Sequence, residues 1–122
     1  MRYLALVIAI AACGKAAPTG SAARDALVAA WKTGGLDPGA LAPAKTDVGK
    51  DCQTTTVAKL DVLVCVYGSE ADAKAAEDPG LKWVGDTTGA ARAKGTLLIA
   101  VADRHAADPT GKTINQLYKL AP

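Results

Sequence analysis

The sequence predicts an α+β fold: a small single domain in the order α-β-β-α-β-α, a mixed sheet of three to four strands with helices packed against it. Three observations carry that expectation. Two short apolar runs, Val62 to Tyr67 and Thr96 to Ala102, have the length and aliphatic content of strands covered on both faces. Segments with apolar residues at helical spacing flank them, around Leu27, Val28 and Trp31 and around Ile114, Leu117 and Tyr118. Between the two runs, Ser69-Glu70-Ala71-Asp72 has the form of a capping box, the signature of a helix N-terminus.

Taken in order, Ser21 can cap a first helix that runs to about Thr33, where Gly34-Gly35 stop it. Leu36 to Lys50 is rich in Pro, Gly and Ala and reads as an extended connection with at most one helical turn after Pro38. Asp51 to Ala58 and Asp61 to Tyr67 read as two strands. If Ala58-Lys59 form a two-residue turn, Cys52 lies directly opposite Cys65 at a non-hydrogen-bonded position, where side chains approach most closely. The residue types argue against that register, because Ala-Lys offers none of the Gly or Asn that a tight primed turn prefers.

The helix opened by Ser69 is expected to end at Pro79-Gly80. Leu81 to Val84 then reads as a short edge strand carrying Trp83, and Gly85 to Gly95 as a Gly- and Thr-rich link to the strand at Thr96. With a helix between them, Val62 to Tyr67 and Thr96 to Ala102 would form a right-handed parallel βαβ crossover. Asp108 can cap a last helix with Pro109 at its first position. The core must be assembled from Leu, Val, Ile and Ala around Trp31, Tyr67, Trp83 and Tyr118, since the chain has no Phe. About 100 residues suffice for one such core and not for two domains.

Arg2 precedes an uninterrupted apolar run from Tyr3 to Ala12, which ends in Ile10-Ala11-Ala12-Cys13. The run is too short to span a bilayer, which takes about twenty residues as a helix. It has the layout of an export signal. Its last residues resemble the lipobox of bacterial lipoproteins, in which a branched aliphatic and two small residues precede a cysteine that becomes lipidated. The resemblance covers only the first thirteen residues or so. It implies residues 1–12 as a cleaved signal peptide and Cys13 as a diacylglyceryl- and palmitate-bearing anchor. Residues 13–20 would then be a flexible tether, and residues 21–122 the globular body. Gly14 stands where Asp would retain such a protein at the inner membrane, so the resemblance implies the periplasmic face of the outer membrane if the source has two membranes. A non-lipidated cut after Ala11 is the rival reading, since Ala9-Ile10-Ala11 also has the small-x-small form.

Three cysteines in an exported chain leave one over from any disulfide. Cys13 is the odd one, and Cys52 and Cys65 are expected to pair in an oxidising envelope. A redox-active pair is the other reading, although the two cysteines lack the C-x-x-C spacing that lowers a thiol pKa. Removing residues 1–12 takes away Arg2 and leaves 13 basic against 12 acidic side chains, a formal charge of +1 in place of +2. Lys45, Lys50, Lys59, Lys74, Lys82 and Lys94 are scattered among acids, so the sequence offers no footprint for nucleic acid.

Three constellations could carry chemistry. Gly111-Lys112-Thr113 matches the end of a phosphate-binding loop, but Ala106 stands where its first glycine is needed, so no nucleotide is expected. Asp103-Arg104-His105 with Asp108 follows an apolar strand, the end at which α/β sheets bind ligands. His105 and the two carboxylates could hold a divalent cation or do acid-base work. The plainer reading has Asp108 as a cap and Asp103 neutralised by Arg104. Gly85-Asp86-Thr87-Thr88-Gly89 is a polar turn that joins two elements or holds a small anion. Neither Ser21 nor Ser69 lies in a nucleophile elbow. The expectation is therefore a membrane-anchored cell-envelope lipoprotein, a non-enzymatic binding or interaction module with an envelope protein partner and no cofactor. The alternatives are a small metal-binding protein or enzyme at Asp103, His105 and Asp108, and a thiol exchanger using Cys52 and Cys65.

Overall fold

The computed structural model describes residues 20–122, so the expected signal peptide, Cys13 and the tether up to Thr19 lie outside the described residues. The elements are α1 (Gly20–Thr33), β1 (Ala42–Thr46), β2 (Gly49–Val57), β3 (Leu60–Val66), α2 (Glu70–Ala75), α3 (Glu77–Val84), β4 (Thr88–Lys94), β5 (Leu97–Asp103) and α4 (Lys112–Leu120). The segments α2 and α3 abut at Ala76 and act as one bent helical unit, so three helical units accompany the sheet. Its five strands lie in the order β1-β2-β3-β5-β4, and every neighbouring pair is antiparallel.

The α+β expectation therefore holds, with a larger sheet than the three to four strands foreseen and no parallel neighbours. β3 and β5 do lie side by side, but antiparallel. The helical unit after β3 delivers the chain to the edge strand β4, and the Gly95-Thr96 turn brings it back as β5 between them. Since β3 and β4 are each antiparallel to β5, they are parallel to one another. The crossover thus exists, with β4 as its second strand and β5 inserted between the pair.

The alternation of β3 and β5 builds two cores. Val62, Val64, Leu97, Ile99 and Val101 point to one face, under Leu27 and Trp31 of α1 and Ile114, Leu117 and Tyr118 of α4. Leu63, Cys65, Leu98, Ala100 and Ala102 point to the other, under Ala76 and Val84 of the bent unit. The small residues on this second face match a close helix: a Cβ on Gly80 would come within 2.8 Å of the Ala91 Cβ, so the helix backbone rests almost on the strand.

Local expectations fare variously. α1 already includes Gly20, so Ser21 lies in its first turn and not at its cap. Its other end is as expected: Leu36 N–H donates to Trp31 O and Gly35 N–H to Lys32 O, a Schellman closure with Gly35 at φ 92°. Ser69 caps α2 by accepting from Asp72 N–H at 3.1 Å. Pro79-Gly80 does not stop a helix, and Leu81 to Val84 is not a strand. Pro79 sits in the first turn of α3, where backbone N–H groups have no intrahelical acceptor and a missing one is harmless. Part of the expected connection after Leu36 forms β1, and most of the Gly- and Thr-rich link is β4.

Candidate functional site

The corner after β5 is built by Asp103. Its carboxylate accepts from Ala107 N–H at 2.8 Å and from Asp108 N–H at 2.9 Å, which folds residues 103–108 back on themselves. These donors hold the Asp103 carboxyl below the usual aspartate range, and the neighbouring His105 adds to the lowering. Asp108 is not the cap residue of α4, which starts at Lys112 behind a left-handed Gly111. Its side chain caps the helix from a distance, accepting from Ile114 N–H at 2.9 Å. Arg104 does not neutralise Asp103. Its guanidinium turns across the sheet end to Asp61 Oδ2 at 3.4 Å, donates to Trp83 O at 2.8 Å and lies 4.7 Å from the Trp83 ring.

Asp103 and Asp108 are thus both buried and occupied by backbone donors, whereas His105 is exposed. Among the described residues no three His, Cys, Asp or Glu side chains converge in a way that could hold a metal ion. Lys112 is an exposed first-turn residue of α4. In the Gly85–Gly89 segment, Gly85 closes α3 at φ 71° and Thr87 Oγ1 donates to Val84 O at 2.9 Å. A Cβ on Gly89 would collide with Val101 O, so that glycine is required by sheet packing.

Cys52 and Cys65 form a disulfide across β2 and β3, in the register expected from a turn at Ala58-Lys59, with Cα atoms 4.0 Å apart. Ala58 and Lys59 have φ of 50° and 68°, the conformation of a primed turn, despite their side chains. The bridge is buried in the second core, with Cys52 3% and Cys65 0% exposed.

That bent unit packs on β4 and β5 and leaves the same face of β1 and β2 uncovered. By register, Ala42, Ala44, Thr54 and Thr56 line this shelf, which continues to Asp61 on β3. Trp83, half-buried on α3, stands as its wall and borders two open clefts. One, of about 590 Å³, lies towards Lys45, Val48, Pro79 and Lys82; the other, of about 460 Å³, lies over Thr54, Thr56 and Asp61. The clefts combine an aromatic wall, threonine hydroxyls and charges of both signs.

Several positions carry more than their local sequence signals. Arg24 is buried on α1 and pairs with Asp51 Oδ1 at 3.1 Å across to β2. Tyr118 Oη lies 2.7 Å from Ile99 O and 3.0 Å from Ala90 O, and burial raises its pKa. Tyr67 donates to Val48 O at 2.6 Å, tying β3 to the β1–β2 turn, and burial raises its pKa as well. Of these, Arg24 alone had a readable signal, a charge on the same helical face as Leu27 and Trp31.

No protein-family description, characterised protein or solved structure matches this chain.

Proposed function

We propose that the chain is a membrane-anchored cell-envelope lipoprotein, acylated at Cys13, whose folded body is a non-enzymatic binding module for an envelope protein partner. The observation that carries this reading is the buried Cys52–Cys65 bridge. A cross-strand disulfide inside a small core belongs to an oxidising compartment, and it accounts for two of the three cysteines, leaving Cys13 at the end of an export-type leader for the anchor. If the source has two membranes, the periplasmic face of the outer membrane is the expected location.

The shelf beside Trp83 is the binding surface of this proposal, because it is sheet left bare by the helices and bordered by an aromatic side chain. A cation or acid-base centre at Asp103, His105 and Asp108 has less support: both carboxylates already hold backbone N–H groups that would be stranded if they turned to a metal. Thiol exchange by Cys52 and Cys65 likewise has less support, since an attacking thiolate needs access to a sulfur and both cysteines are buried. Photo-crosslinking in intact cells tests the module. A photoreactive residue at Thr54 is expected to trap one defined envelope protein, and the same probe at Lys74, exposed on α2, to trap none. Equal yields from both positions, or none from Thr54, would contradict the assignment of the shelf.

A further inference from the structure

Two elements distant in sequence bring cations to one surface. Arg92 and Lys94 alternate on β4 towards the face that carries α4, and Lys112 and Lys119 lie on the exposed side of α4 with Asn115 between them. Two shallow depressions, of about 410 and 610 Å³, share Asn115 and Lys119 and run across this surface, and no acidic side chain lines either one. The chain as a whole has 14 basic and 12 acidic residues, so four cations without an acid among them are a local concentration of one sign. Glu77 lies at the rim and is turned to the strand edge, where it accepts from Ala93 N–H at 2.9 Å. Arg92 is held over the Tyr118 ring at 5.3 Å, which keeps its charge beside α4.

The start of the body lies at this same end of the molecule. Ala23 and Ala26 of α1 border a crevice with Lys94 and Gly95, so the chain enters the domain next to the cationic surface. From Cys13 to Gly20 a chain reaches no more than about 25 Å even when fully extended. We infer that the face formed by Arg92, Lys94, Lys112 and Lys119 docks on an anionic lipid bilayer surface and thereby turns the Trp83 shelf, on the opposite side of the sheet, away from the membrane. The inference rests on the lipoprotein reading for what brings this face to a bilayer, and on charge alone for the binding. Basic side chains near an anionic leaflet each strengthen binding by about fivefold, and the attraction falls off within roughly 8 Å at physiological salt, so contact is required.

The test uses the full chain carrying Cys13→Ser, so no acyl chain contributes, and every variant keeps residues 1–12, so any effect of that apolar segment cancels. Co-sedimentation is measured with phosphatidylcholine vesicles and with vesicles in which about a third of the lipid is phosphatidylglycerol. The anionic vesicles are expected to bind more tightly, with an affinity that falls as salt rises. Lys94→Gln/Lys112→Gln/Lys119→Gln should lose on the order of 100-fold. Lys50→Gln/Lys59→Gln/Lys74→Gln, with the same change of net charge, should lose only a minor part. Equal losses in the two variants, indifference to lipid charge, or binding confined to a soluble anionic polysaccharide or acidic protein would overturn the inference. Failure of acylation at Cys13, read separately by mass, would leave this binding result intact and instead remove the lipoprotein reading.

Discussion

Asp103 commits both carboxylate oxygens to the backbone of the turn that follows β5, and this decides how the corner responds to acid. Its pKa is depressed in the folded protein, so the stability it contributes is present in full above the ordinary aspartate value of about 3.9 and is lost as pH falls through the lower folded value. Asp103→Asn should therefore lower Tm by a constant amount above about pH 5, and by a shrinking amount as the solution is made more acid. His105→Ala should change neither Tm nor cation affinity, since His105 is exposed. Thermal melts across pH check the first expectation, and calorimetric titration with a divalent cation checks the second. A large loss of bound metal in the His105 variant would restore the metal-site reading. Composition placed these residues at a strand's carboxyl end correctly, but it could not show that their lone pairs were already taken, because that depends on how a six-residue loop closes.

At the scale of elements, the β2–β3 hairpin shows tertiary demand overriding turn preference. The apolar pattern of β3 and the facing cysteines fix the register, and Ala58 and Lys59 accept positive φ to serve it. A left-handed conformation costs a non-glycine residue about 1–2 kcal/mol, so Ala58→Asn/Lys59→Gly should raise stability by about 1 kcal/mol or more, as read from denaturant midpoints. An unchanged or lowered midpoint would mean that the turn is not strained as its dihedrals indicate. Gly89→Ala makes the opposite test. The added methyl meets Val101 O of the neighbouring strand and Val84 of α3, and a loss of about 2–3 kcal/mol is expected.

The same contacts explain what the sequence hid. β3 and β5 were legible because both their faces are buried, and α1 and α4 because their stripes keep helical period. β4 was not, because Gly89, Ala91 and Ala93 must be small beneath the bent helical unit, while Arg92 and Lys94 face solvent, so no apolar alternation survives. α3 was misread because a proline in a first turn looks like a stop when the start of the helix is placed too early. The shelf was invisible for a different reason: it is defined by where the helices do not reach, which no local pattern records.

At the scale of the whole, the described residues form three layers, with two cores divided by the sheet and a covalent staple between its second and third strands. Closing a loop of this size stabilises by about 3 kcal/mol on chain-entropy grounds. Cys52→Ser and Cys65→Ser should therefore each lower stability by a similar amount, and unequal losses would count against a purely structural bridge. The anchor, the staple and the two opposed surfaces form one arrangement in the proposed setting: cations towards a lipid leaflet, the Trp83 shelf towards a partner. Its central claim is the chemical state of the three cysteines. Intact-mass measurement on protein extracted from its native envelope, with free thiols trapped, tests that claim most directly. The expected product is a chain lacking residues 1–12, with a lipid adduct on Cys13 and no alkylation at Cys52 or Cys65. A chain retaining its leader, without lipid and alkylated at all three positions, would contradict it.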